Sequence, residues 1–175
     1  MKKEEMLDGD ISLVLDSYND LFSDFDAREI SERALSDDFL NECRKATRRI
    51  EVIHGLKLHL LLPRNKRNHT TEQIIKARLR NHFRKHDAEN TKEAQLNKTQ
   101  GILWVVTGAV FSIVATSLHT QESILLRFAF VILEPAGWFS FWTGFDKLIL
   151  MPPHQKEEFE FYRKMAHSNV TFRSN

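Results

Sequence analysis

The sequence predicts an α+β chain in which a small cytoplasmic βαβ-type head is completed by a C-terminal strand. A long helical stalk joins that head to a two-helix transmembrane hairpin. Three observations lead there. From Thr99 to Gln121 there is no Asp, Glu, Lys or Arg, and from Phe128 to Phe145 the only charged residue is Glu134. A membrane helix needs about 20 mostly apolar residues, and both runs approach that length. Outside them, short apolar runs of strand character alternate with helical periodicity, and the last such run lies after the second apolar stretch.

Averages hide this division. At 175 residues, with 28% charged residues and a mean hydropathy of -0.39, the whole chain reads as one soluble domain. A buried helical pair in a soluble core is the competing explanation for the apolar runs. Core helices, however, seldom extend this far without a polar face. Cys43 is the only cysteine, which excludes an intramolecular disulfide and suits a reducing compartment. The opening "MKKEEMLDGD" lacks the apolar core of a secretory signal.

The head occupies residues 1–68. "ISLVLDS" (Ile11 to Ser17) is a strand by its branched apolar residues. Ser36 is an N-cap, followed by Asp37 and Asp38 in the first turn and by Arg44 and Lys45 near the end, so both termini complement the helix dipole. Leu56, Leu58, Leu60 and Leu62 recur at period two, marking a half-buried strand that Pro63 ends. Strand, helix and strand in this order predict parallel pairing with a right-handed crossover.

Residues 69–98 read as a basic amphipathic helix that becomes a polar stalk. Ile74, Ile75, Leu79 and Phe83 form its apolar stripe, and no Gly or Pro separates it from the first apolar run. The hairpin covers 99–151, with helices at about 99–120 and 124–148. Residues 152–175 begin with Pro152-Pro153, continue as a short helix and end in the strand "NVTFRS", which returns to the sheet of the head. Between Arg64 and Lys98 ten basic residues face four acidic ones, a local charge of +6, while the hairpin turn has no basic residue before Arg127. Positive charge stays on the cytoplasmic side, so an inner-membrane, multi-pass placement with both termini cytoplasmic is expected.

Glu134, just before Pro135, is the residue that does not suit an apolar helix. Pairing the helices symmetrically about residue 121 puts it level with Gly108 and beside Thr107, with Arg127 on the same face two turns away. Gly108, Ser112 and Thr116 on one helix, and Ala136, Ser140 and Gly144 on the other, are small residues at four-residue spacing that let backbones approach. An ionised carboxylate in a bilayer costs a few kcal/mol or more, about 3 on insertion scales. Glu134 is therefore expected to be protonated, to be hydrogen-bonded to a hydroxyl such as that of Thr107, or to face water between subunits. Trp104, Trp138 and Trp142 read as an interfacial aromatic belt.

Other candidate sites are weaker. Asp20, Asp24 and Asp26 lie in an acidic segment after the first strand, where a hard cation would take clustered carboxylates, although Asp also belongs in turns. Tyr18, Leu21, Phe22 and Phe25 in the same segment suggest a loop that folds onto something, a partner included. His82 and His86 share a helical face at zinc-compatible spacing but lack a third ligand. Lys76, Arg80 and Arg84 form a basic stripe suited to lipid headgroups. Nucleic acid is not expected, given a net charge of +1 and no aromatics beside the stripe. No P-loop, dinucleotide fingerprint or nucleophile elbow is present.

Taken together, "SYNDLFSDFD", "RALSDDF", "LLPRNKRN" and "ILEPAGWFSFW" resemble a group of small uncharacterised prokaryotic two-helix membrane proteins with a soluble α/β head. The resemblance covers nearly the whole chain and implies no activity, cofactor or site residue. The residues themselves lead to the expectation of a non-enzymatic, cofactor-free module, anchored by the hairpin in the lipid bilayer. It would associate with its own copies or dock a protein partner at the head. An oligomeric channel or membrane-permeabilising effector with Glu134 near the path is the alternative. A metal-dependent enzyme using the acidic loop comes third.

Overall fold

The computed structural model describes residues 10–50, 55–119, 123–150 and 153–174. Along the chain these form β1 (Asp10–Val14), α1 (Asp37–Thr47), β2 (Lys57–Leu62), α2 (His69–Leu118), α3 (Ile124–Ile149), α4 (Pro153–Ala166) and β3 (Asn169–Ser174). The chain divides into two compact units: residues 1–88 together with 157–175, and residues 89–156. The long helix α2 belongs to both, contributing its first twenty residues to the head.

Three parallel strands in the order β1-β2-β3 make the sheet of the head. The order advances without reversing. Two crossovers of the usual right hand then place their helices on one face of the sheet. The core matches this arrangement: Phe39 and Cys43 of α1, Ile75, Leu79 and Phe83 of α2, and Phe161 and Met165 of α4 share one cluster with Leu58, Leu60 and Phe172. Leu56, Leu58, Leu60 and Leu62 are fully buried, as their alternation predicts. The C-terminal strand returns to the sheet, with Phe172 paired to Leu60.

The opposite sheet face is open. Ser12 and Val14, Lys57, and Asn169 and Arg173 are exposed there. Its exception is His59, only 3% exposed at the centre of the middle strand, so β2 is covered on more than the one face that its periodicity suggests. Parallel sheets normally bury both faces. On this open face Asp10, His59 and Thr171 bond to one another across the strands.

In the second unit, α2 and α3 pack as an antiparallel hairpin along a seam of glycines. A Cβ on Gly108 would stand 2.9 Å from the Gly137 carbonyl oxygen, and one on Gly144 would stand 2.8 Å from that of Gly101. Gly101, Gly108 and Ala115, seven residues apart, face Gly137 and Gly144, also seven apart, which is the period of a left-handed supercoil. Gly108 stands equally close to the Gly137 carbonyl and the Phe141 nitrogen, and Lys147 meets Gln100, so the seam is centred between residues 123 and 124, not on 121. Ser140 is buried in it, while Ala136 lies half-buried on its flank.

Candidate functional site

In the head, the acidic segment is a structural brace. Asp20 accepts hydrogen bonds from the Asp16 and Ser17 backbone N–H groups at 2.7 and 3.0 Å, closing a short 3-10 turn (Tyr18–Leu21). Partial burial pushes its carboxyl up, but these N–H groups outweigh that and hold it below the usual carboxylate range. Asp26 pairs with the Arg28 guanidinium at 2.7 Å and accepts the Ala34 N–H at 2.7 Å. Those two donors, Arg28 first, hold its carboxyl well below the usual range. Asp24 is exposed, 4.0 Å from Arg33. The three carboxylates turn to three different partners and do not gather. Among the described residues no three His, Cys, Asp or Glu side chains come together to hold a metal ion. Leu21 and Phe22 fold into the head's own core, whereas Phe25 is 99% exposed.

At the carboxyl ends of the strands a buried ion pair ties three connections together. Glu72, on the first turn of α2, receives Arg67 Nε and Nη2 at 2.7 and 3.0 Å. The Tyr18 hydroxyl donates to it at 3.3 Å and accepts the Asn68 N–H at 2.8 Å. Arg67 also reaches the Ser174 hydroxyl at 3.1 Å and the Phe172 carbonyl, covering one end of the β3 edge. The Arg67 guanidinium holds the Glu72 carboxyl down. Ligands of open α/β sheets bind where strand order reverses. An order that never reverses has no such switch point, and among the described residues this network occupies the strand ends.

Across the open face, His59 bridges all three strands. Its Nδ1 lies 2.6 Å from Thr171 Oγ1 and its Nε2 lies 3.2 Å from Asp10 Oδ2. Sequence periodicity does not reveal it, because His59 sits on the face left to solvent. Asp, His and a hydroxyl in line have the composition of a nucleophilic triad. Here all three are committed to one another along the sheet, and we read the chain as a cross-strand tie.

His82 and His86 do stand together, with ring centroids 4.5 Å apart and His86 stacked on Tyr162. His82 Nε2 is buried without a hydrogen-bond partner. Burial, then the charge of His86, pushes its pKa down to about 4. Between α1 and α4 lies a cavity of about 210 Å³ lined by Arg44, Thr47, Arg48, Glu157, Glu160, Phe161 and Lys164. The Lys164 ammonium is spent on the α1 terminus, donating to the Ile50 carbonyl at 2.6 Å. Arg48 is paired with Glu157 at 2.6 Å. Of the basic stripe, Arg80 and Arg84 are exposed, while Lys76 Nζ stands 5.9 Å over the Phe172 ring.

The hairpin carries the more distinctive chemistry. Four of its hydroxyls turn back on their own helices at 2.7–2.9 Å: Ser112 donates to the Gly108 carbonyl, Thr116 to that of Ser112, Ser140 to that of Ala136 and Thr143 to that of Phe139. Such bonds remove hydroxyl donors that an apolar environment would leave unsatisfied. Glu134 is not inside the hairpin. The seam shifts it level with Ile113, it is exposed, and no hydrogen bond joins it to Thr107. The expected clasp between Glu134 and Thr107 is thus corrected, because Gly137 occupies the seam and turns Glu134 about one helical quadrant off it. Ile102, Val106, Val110 and Ile113 on α2, and Val131, Trp138, Phe139 and Trp142 on α3, are exposed apolar side chains. Both helices are long and apolar enough to cross a membrane. No family model matches the chain, and neither a curated protein nor a solved structure is similar to it.

Proposed function

We propose that the protein is a membrane-anchored interaction module: the hairpin is the anchor, and the α/β head works on the cytoplasmic side. The observation that carries this reading is the outer surface of the hairpin, whose exposed side chains are almost all apolar, while the hydroxyls of Ser112, Thr116, Ser117, Ser140 and Thr143 bond within their own helices. The rise from Arg127 to Lys147 is about 30 Å at 1.5 Å per residue, the thickness of a bilayer's hydrocarbon. Trp104 and Trp142 lie within one residue of the same level, near the Lys147 end, as an aromatic belt would. The basic residues between Arg64 and Lys98 favour a cytoplasmic head, with Arg80 and Arg84 available to anionic headgroups at about 1 kcal/mol each.

Within the head, the filled strand ends and the braced acidic loop favour binding over catalysis. The decisive experiment is carbonate extraction of cell membranes combined with protease protection. Retention in the membrane, with the head digested only in inverted vesicles, supports the reading. Release by carbonate would refute it. A second reading, an oligomeric path for ions, draws on the position of Glu134 off the seam, where neighbouring subunits could enclose it. Liposome ion flux that changes in Glu134→Gln would favour that reading.

A further inference from the structure

The glycine seam is used up by the hairpin itself, so any further association must use another side of it. The contacts across the seam define those sides. Lys147 Nζ bonds Gln100 Oε1 at 3.1 Å on one flank. At 100° per residue, Glu134 of α3 and Thr116 of α2 both fall about 80° from the seam on the opposite flank. Both are exposed. Ala109, two turns from Thr116 on that flank, keeps it open to a close neighbour.

We propose that two copies of this chain associate through that flank, the protonated Glu134 carboxyl of each donating to Thr116 Oγ1 of the other. The proposal rests on the membrane reading above. Three points commit it to a second copy. Copies inserted in the same direction and related by a two-fold axis along the membrane normal keep every residue at equal depth. The same axis sets α2 of one copy against α3 of the other, so the contact occurs twice, as an isologous interface requires. Depth then selects the partner. Glu134 is level with Ile113, one turn short of Thr116, and side chains lean towards the N-terminus of their own helix. In an antiparallel pair this brings the Glu134 carboxyl and the Thr116 hydroxyl towards each other. Thr116 already donates to the Ser112 carbonyl at 2.9 Å, which leaves its oxygen lone pairs to accept. Arg127 lies about 10 Å from Glu134 along the axis, too far to serve in its place.

The test is the mass of the full-length protein in lipid nanodiscs, after carbonate extraction has established that it is retained in membranes. Wild type is expected as a dimer, and Glu134→Gln, whose amide still donates, should remain one. Glu134→Leu should be monomeric, and Thr116→Val should weaken association by about tenfold. Thr143→Val, on the Lys147 flank, should leave the mass unchanged. A retained wild-type chain that is monomeric overturns the inference alone, as does any assembly that survives Glu134→Leu. Release by carbonate overturns the membrane reading, and the inference with it.

Discussion

Adding one methyl group at a time tests the glycine seam, because the surrounding atoms differ from site to site. At Gly144 a Cβ would lie 2.8 Å from both the Gly101 carbonyl oxygen and the Val105 backbone nitrogen, where ordinary contact begins at 3.4 Å. Backbone cannot rotate away, so the helices must part by about 0.6 Å along a tightly packed line, an overpacking cost of about 1–3 kcal/mol. Alanine returns up to about 1 kcal/mol through its better helix propensity. With the full helix-propensity gain the net loss expected for Gly144→Ala is about 0–2 kcal/mol, and Gly108→Ala, also blocked by backbone at 2.9 Å, should match it. At Gly137 the nearest atom is the Ser112 hydroxyl at 2.8 Å, with backbone no closer than 3.3 Å, and at Gly101 it is the Leu148 side chain at 2.8 Å, with the Gly144 carbonyl oxygen at 3.1 Å. Gly137→Ala should therefore cost the least of the four, and Gly101→Ala should fall between it and Gly144→Ala. All three tryptophans of the chain, Trp104, Trp138 and Trp142, lie on the hairpin. Their fluorescence during an SDS titration in mixed micelles reports its opening directly. Equal stability of all four variants, or a Gly137→Ala weaker than Gly144→Ala, would refute the seam as described.

Other perturbations address the head. Arg67→Ala leaves the Glu72 carboxylate, 4% exposed, with the Tyr18 hydroxyl and the more distant Lys76 charge; a loss of about 2–3 kcal/mol in urea unfolding is expected, allowing for the partial exposure of the guanidinium. His82 is held near pKa 4 by burial against an ordinary value of 6.5, so the unfolded chain takes up a proton that the folded one refuses. This contribution to stability is complete above about pH 6.5 and falls as pH drops towards 4; His82→Phe should flatten that part of the profile, and an unchanged slope would contradict it. Lys164→Met leaves the Ile50 and Thr47 carbonyls without their ammonium and should lower the melting midpoint, at a cost of about 1–2 kcal/mol. The Cys43 thiol is pushed up to about 12 by burial, so a thiol reagent should label it only as fast as the head unfolds.

Much of the fold is legible in local pattern. The leucine alternation places β2, Ser36 with its acids and bases places α1, and the uncharged run after Lys98 places the apolar half of α2. What sequence hides is whatever depends on register between distant segments. His59 looks solvent-facing until Asp10 and Thr171, from both ends of the chain, arrive beside it in register. The acids after β1 look like a ligand set because spacing cannot show that Asp20 closes a turn while Asp26 is clamped by Arg28. In the hairpin, small residues at four-residue spacing announce close packing, but the seam runs on sevens. The centre of the turn cannot fix which pairs meet. A displacement of that centre by between two and three residues accompanies the move of Glu134 from the interior of the pair to its outer flank.

The central strand of the head has one further consequence. β2 finds β1 among residues already synthesised, but its other neighbour, β3, is separated from it by the whole hairpin. Phe161, Met165 and Phe172, which wall the core on that side, leave the ribosome only after α2 and α3. Until then Leu58, Leu60 and Ile75 form a half-built core with one side open to water. Elongation thus imposes an order in which the apolar helices emerge while the head is still incomplete. A stalled or truncated chain would combine an exposed core with an exposed hairpin. The head is begun before the hairpin and can be finished only after it.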